Sequence, residues 1–256
     1  MPLNRREFLN LAAASIATGV LISHPLARAA TSSKIKAIAF DAFPILDPRP
    51  VFALAEQLFP GKGTELSNAW RNRQFEYQWL RALSGRYADF WQATEDALVF
   101  AGEMLKLDLT SDKRKQLMEA YLGLKTWPEV PSALDSLKSA GIRLAFLSNA
   151  TTKILDAGIK NSRLEGVFEQ VLSTDKIKTY KPDPRAYRMA IDAFGLKKEE
   201  ILFVAFAGWD AAGAKSFGYT TFWVNRLNLP AEQLGVTPDA VGQNLNDLVG
   251  FVKAQK

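Results

Sequence analysis

The 256-residue chain contains no cysteine, and its single histidine is His24. The missing thiols exclude disulfides, thiolate metal sites and a cysteine nucleophile. With the lone imidazole so close to the amino terminus, a triad with a histidine base is unavailable to a chain trimmed beyond it. Catalysis must then run on carboxylates, lysines, arginines, tyrosines or hydroxyls. Also missing is any basic run with interleaved aromatics, so no nucleic-acid partner is expected. No repeat or low-complexity tract occurs, and the apolar stretch Leu11 to Ile22 is shorter than the ~20 residues of a membrane span.

What is present is an ordinary globular composition, 48% apolar, with a net charge of +5. The first 29 residues read as a separate segment. Asn4-Arg5-Arg6-Glu7-Phe8-Leu9 precedes the apolar stretch, and Ala27 and Ala29 supply small residues for cleavage. Paired arginines followed by Phe-Leu look like a twin-arginine signal peptide over 1–29, read by the twin-arginine export machinery, and imply a bacterial periplasmic product. The segment carries +2, leaving about +3 on the mature chain, a mild bias toward small anionic substrates.

Ile35 to Phe43 reads as a buried parallel strand ending in one carboxylate, Asp41. Pro44, Pro48 and Pro50 mark a loop. From Val51 to about Leu122 the apolar spacing is helical throughout, with no strand pattern. After that, strands and helices alternate: strands at Arg143–Leu147, Val171–Leu172, Ile201–Val204 and a last one at Thr221–Val224, with helices between and after them. Alternation of this kind predicts a Rossmann-like doubly wound α/β parallel sheet with helices on both faces. The expected domains are an α/β core over 34–47 and 128–256, and an inserted all-helical cap over 48–127.

Four strand ends carry polar residues: Asp41, Ser148 with Asn149, Lys181, and Asp210. Any one of them has a bland reading as a turn or capping residue. Four on successive elements of one parallel sheet place a nucleophile, donors and a cation at the end where ligands bind.

With Phe40-Asp41, Leu147-Ser148-Asn149, Tyr180-Lys181-Pro182-Asp183 and Gly208-Trp209-Asp210 in this order, the chain resembles the haloacid dehalogenase superfamily. Trp70-Arg71, Glu76-Tyr77-Gln78-Trp79-Leu80-Arg81 and Ala93-Thr94-Glu95-Asp96-Ala97-Leu98 look like the helical cap of its (S)-2-haloacid dehalogenases. The resemblance implies hydrolysis of (S)-2-haloalkanoic acids to (R)-2-hydroxy acids through an ester on Asp41, with inversion at C2 and no metal or organic cofactor. It implies that Lys181 keeps Asp41 ionised, and that Asp210 positions Lys181 or the water. Arg71 and Asn149 cradle the halide, Ser148 and backbone N–H groups hold the carboxylate, Trp209 and Phe90 wall the apolar side, and Tyr187 joins the polar cluster. Read one at a time, Arg71 is equally a solvated helix face, and Phe90 and Tyr187 equally core. A homodimer is possible by the same likeness.

Two rival functions stand beside this one. A phosphatase of the superfamily carries an acid two residues after the nucleophile, where this chain has Phe43. A non-catalytic periplasmic binder of small carboxylates would fit some departures from the pattern. The family's Gly-Thr after the nucleophile is Pro44-Ile45 here, and its serine and asparagine before Trp209 are Ala205 and Ala207. In the resemblance the serine and asparagine help to hold Lys181 and the attacking water, which leaves three alternatives: slow turnover, a water held instead by Asp210 and backbone groups, or a larger pocket for a different substrate.

Overall fold

Residues 35–255 are described by the computed structural model; the expected signal peptide over 1–29 lies outside the described residues. The first strand, β1 (Ala37–Phe40), has all four residues fully buried. It pairs in parallel with β2 (Arg143–Ser148) on one side and β4 (Ile201–Ala205) on the other. β3 (Gln170–Ser173) extends the sheet beyond β2, and β5 (Thr220–Val224) extends it beyond β4. A sixth strand, β6 (Ala240–Gly242), closes that edge in parallel with β5. This corrects the expectation that Thr221–Val224 is the last strand. β6 has three residues, none of them buried, and gives no apolar run to read.

The order β3-β2-β1-β4-β5-β6 reverses direction between β1 and β4. In such sheets the crevice outside the strand ends opens at that reversal. Side chains alternate faces with period two. Ile38, Phe40, Leu144, Phe146, Leu202 and Val204 pack on one side. Ala37, Ala39, Ala145, Leu147, Ile201 and Phe203 pack on the other. Both faces are covered, which is why these strands read as continuous apolar runs.

Between β1 and β2 the chain runs through α1 (Arg49–Leu58), α2 (Gly63–Leu83), α3 (Phe90–Met104), α4 (Ser111–Glu119) and α5 (Val130–Ser139). Where the chain leaves for the first four of these helices and where it returns ahead of α5, it pairs with itself. Leu46 and Thr126 form an antiparallel bridge. Asp47 N donates to Lys125 O at 2.8 Å and Trp127 N donates to Ile45 O at 3.2 Å. These bonds satisfy the backbone at a crossing point where no longer ladder exists.

The remaining helices are α6 (Thr152–Asn161), α7 (Pro184–Phe194), α8 (Gly208–Phe217) and α9 (Leu245–Ala254). Asp183 caps α7 by accepting from Arg185 N, and Pro184 occupies its first turn. α8 begins three residues before the expected Ala211, so Asp210 sits inside its first turn. α8 also runs close to α7. A Cβ on Gly213 would fall 2.5 Å from the Tyr187 hydroxyl and 2.7 Å from Pro182 Cβ, so only glycine permits that approach. Among the described residues no helix is long and apolar enough to cross a membrane.

Candidate active site

Asp41 follows the last residue of β1, at the reversal of strand order, and is 8% exposed. Its Oδ1 accepts two hydrogen bonds, from Lys181 Nζ at 2.9 Å and from Ser148 Oγ at 3.2 Å. Its Oδ2 accepts one, from the backbone N–H of Phe43 at 3.3 Å. Ser148 is the last residue of β2, one strand away. Two neighbouring strand tips and the turn after β1 therefore hold this carboxylate.

Lys181 is 1% exposed, and its ammonium is shared between two acids. Nζ lies 2.9 Å from Asp41 Oδ1 and 2.5 Å from Asp210 Oδ2. Burial works against the ammonium, but the charges of Asp210 and Asp41 outweigh it and leave the Lys181 pKa raised. One cation between two carboxylates cannot fully satisfy both. Burial pushes Asp210, the deeper acid, up to about 6; Lys181 opposes the rise, and the Asp41 charge adds to it. Tyr187 on α7 donates its hydroxyl to Asp210 Oδ1 at 2.8 Å, and burial holds that phenol well above its ordinary value.

A second layer of bonds fixes the lysine's backbone. Lys181 N donates to Asn149 Oδ1 at 2.9 Å, and Thr174 Oγ1 donates to the same oxygen at 3.2 Å. Asn149 Nδ2 donates to Gln78 Oε1 on helix α2 at 3.3 Å. Trp79, the next residue of α2, donates its indole N–H to Lys181 O at 3.1 Å. The helical block thus grips the loop that carries the lysine from both sides.

Six sequence-predicted residues converge here: Asp41, Ser148, Asn149, Lys181, Tyr187 and Asp210. One of them is engaged otherwise than expected: the Ser148 hydroxyl is given to Asp41, so it is not free for a substrate carboxylate. Asn149 accepts through Oδ1 and gives one of its two Nδ2 hydrogens to Gln78, so the other stays available to a halide. Arg71 is half-buried on α2 and forms no ion pair among the described residues. It lines a cavity of about 340 Å³ together with Phe90 and Phe43.

Trp209 does not share that cavity with Phe90. It lines an adjoining recess of about 380 Å³, in which Arg71, Phe75, Phe206 and Leu227 recur. Its ring meets Phe75 and Trp79 edge-on, both at 5.3 Å between centroids. The expected apolar wall is therefore two walls, with Arg71 common to both.

Ser67, Gln74 and Gln78 are buried residues of α2 that the sequence reading left out of the site. Polar residues at helical spacing read as a solvated face. The one available signal was their recurrence with Arg71 at three- and four-residue intervals. Ala205 and Ala207 flank Phe206 at the end of β4. Ala207 occupies the N-cap position of α8 without a side-chain hydrogen bond, so the first turn of α8 has no side-chain acceptor there. Among the described residues no group of three His, Cys, Asp or Glu is placed to hold a metal ion.

The model of the haloacid dehalogenase-like hydrolases matches residues 13–218. The chain belongs to this family. Within it, the chain is 45% identical over 207 residues to haloacetate dehalogenase H-2 of Moraxella sp. (strain B), covering 80% of this chain and 92% of that one. It is 46% identical over 206 residues to an (S)-2-haloacid dehalogenase of Pseudomonas sp. (strain YL), covering 80% and 89%. Among solved structures, the L-2-haloacid dehalogenase RSc1362 superposes with a TM-score of 0.84 at 43% identity, over 86% of this chain and 99% of that one. The L-2-haloacid dehalogenase of Xanthobacter autotrophicus with chloropropionic acid covalently bound gives a TM-score of 0.80 at 32% identity, over 87% and 100%. The parallel six-stranded α/β sheet with its flanking helices is the fold of these hydrolases.

Proposed function

We propose that this family member is a hydrolytic dehalogenase of (S)-2-haloalkanoic acids, forming (R)-2-hydroxy acids through an ester on Asp41. The observation that carries the reading is the asymmetry of Asp41. Lys181 and Ser148 both hold Oδ1, while Oδ2 accepts only the Phe43 N–H. Oδ2 keeps a lone pair for carbon. The similarity to dehalogenases, one of them with a covalently bound chloropropionic acid, supports the same chemistry.

In the first step Oδ2 attacks C2 from the side opposite the halogen; the C–O bond forms, the carbon–halogen bond breaks, and the halide leaves with the electron pair. Arg71, a guanidinium without a carboxylate partner among the described residues, receives the anion. A halide needs no proton to depart, so the absence of an acid at Phe43 costs nothing. In the second step water adds to the Asp41 carboxyl carbon and the ester C–O bond breaks; one water proton ends on the departing 2-hydroxyl oxygen and the other passes to the Asp210 carboxylate or to solvent. Lys181 draws negative charge onto the tetrahedral centre. Ala205 and Ala207 contribute no donor to that water, which makes the second step the slow one.

The reading needs no metal or organic cofactor. Its test is halide release from (S)- and (R)-2-chloropropionate with and without a chelator. Release from the (S) acid alone, indifferent to the chelator and abolished in Asp41→Asn, is the expected result. Release that requires magnesium, or that survives Asp41→Asn, removes it. Single turnover in heavy-oxygen water places the label on Asp41.

Export to the periplasm by the twin-arginine machinery is proposed on the Arg5-Arg6 pair and the apolar stretch behind it. Cell fractionation of an Arg5→Lys, Arg6→Lys variant checks it. A homodimer is proposed on the exposed Leu80 and Leu83 at the end of α2, and sedimentation velocity decides it.

A further inference from the structure

Helix α2 turns polar side chains toward the interior. Ser67, Arg71, Gln74 and Gln78 share one face by their spacing, and all but Arg71 are buried. Gln74 is satisfied by Thr94, and Gln78 by Asn149 through its oxygen. Ser67 is different: it is 7% exposed, and its hydroxyl has no partner among the described residues. A buried donor left unpaired works against folding, so such groups point to something that pairs with them in use.

Ser67 and Arg71 open onto the cavity of about 340 Å³. Its other walls are mainly rings, from Phe43, Phe52, Phe75, Phe90, Phe206 and Trp127. Phe43 links the cavity to the nucleophile: its backbone N–H holds Asp41 Oδ2 and its side chain lines the cavity. Pockets of about 300–1,000 Å³ accommodate drug-sized molecules. A three-carbon haloacid leaves most of this one empty, with ring faces against nothing.

We infer that the preferred substrate carries a bulky apolar group on C2, an aryl or arylalkyl substituent, and that this group lies in the ring-lined cavity. The inference rests on the dehalogenase reading for its chemistry and deepens it by naming the substrate class. With the substituent among the phenylalanines, C2 lies at the Phe43 end, within reach of Oδ2. Arg71 donates to the departing halide. An aryl ring meets the surrounding rings edge-on, an arrangement that adds to the gain from burial alone.

Two measurements on the intact protein test this. The first compares kcat/KM for (S)-2-chloro-3-phenylpropanoate and (S)-2-chloropropanoate. Burial of the phenyl group is expected to favour the larger acid about tenfold or more. Turnover of the smaller acid at an equal or higher kcat/KM overturns the inference and leaves the proposed function standing. Halide from neither acid overturns the proposed function. The second measures binding of unhalogenated 3-phenylpropanoate and propanoate by calorimetry, which needs no chemistry. The phenyl acid is expected to bind about tenfold tighter, and equal affinities overturn the inference whatever the turnover. Thr64→Trp, at an exposed rim position of the cavity, locates the effect. It is expected to bring the two affinities together, and an undiminished phenyl advantage overturns the placement.

Discussion

The ammonium of Lys181 lies 2.9 Å from Oδ1 of Asp41, joining residues 140 positions apart in the chain. Asp210 takes the other side of the same ammonium. The three charges are buried together, so each depends on the other two. Lys181→Met strips the cation and leaves two carboxylates facing each other without compensation. Breaking a buried ionic group in this way costs about 3–5 kcal/mol. Chemical denaturation at pH 7 is expected to show a loss of that size, and halide release to fall by at least about 10². Part of the stability returns at pH 5, where one carboxylate takes up a proton. A variant as stable at pH 7 as at pH 5 contradicts the coupling.

The pH dependence of Asp210 has a definite sign. Burial raises this carboxyl from 3.8 to about 6. Between those values the unfolded chain has released the proton and the native protein still holds it. Rising pH therefore favours the unfolded state over that window, and the effect of this group is complete above about pH 6. Lys181, raised above its ordinary value, acts only in the alkaline range: its contribution is present below about pH 10.5 and is lost as pH rises through its folded value. The stability of the protein minus that of Asp210→Asn is thus expected to fall as pH rises from 4 to 6 and to stay level from 6.5 to 9. A signed difference that rises over pH 4–6 refutes the assignment. In the same protein, halide release is expected to fall below about pH 6, as Asp210 loses the charge with which it holds Lys181.

Much of this arrangement was legible before the structure. Asp41 and Ser148 end apolar runs, and strand ends are where a parallel sheet gathers its ligands; Lys181 stands before the breaker Pro182, in the loop that follows β3. What a side chain does at its strand end was less legible. Ser148 looks like a free donor in sequence, but the low-dielectric site turns it inward onto Asp41, and the Asn149 oxygen accepts from the Lys181 backbone. Gln78 and Ser67 were hidden for another reason. Residue type marks them as solvent-facing, and only the packing of α2 over the site buries them. β6 lay below the length at which alternation can be seen.

Gln78 is expected to act on the site through Asn149. Its Oε1 accepts from Asn149 Nδ2, and Asn149 Oδ1 in turn receives the Lys181 N–H. The Gln78 amide nitrogen has no partner among the described residues, so its removal costs no hydrogen bond there. Gln78→Leu leaves Asn149 Nδ2 unpaired and lets its amide turn. The expected result is about a tenfold fall in kcat with KM nearly unchanged, because a misplacement far from the chemistry acts on the transition state. Gln78→Glu, which keeps the accepting oxygen, is expected to recover most of the rate. A change confined to KM places Gln78 against the substrate and not behind Asn149.

Ala205 and Ala207 make the last prediction, and it has a thermodynamic and a kinetic arm. Ala207 stands at the N-cap of α8 with no side chain able to accept from its first turn. Ala207→Asn supplies such an acceptor, and caps of this kind stabilise by about 0.5–2 kcal/mol, a gain that thermal unfolding reads directly. The kinetic arm follows from the second step of the reaction. Without donors at 205 and 207 to hold the water, the ester on Asp41 accumulates, and one equivalent of halide appears in a burst before steady turnover. Ala205→Ser with Ala207→Asn restores a hydroxyl and an amide beside the Lys181–Asp210 pair. One preorganised donor is worth about 10²–10³ in rate, enough to bring the second step level with the first. The burst is then expected to vanish and the steady rate to rise by at least about tenfold. If the unsubstituted protein shows no burst, backbone groups already hold the water, and the two alanines reflect the shape of the substrate and not a missing donor.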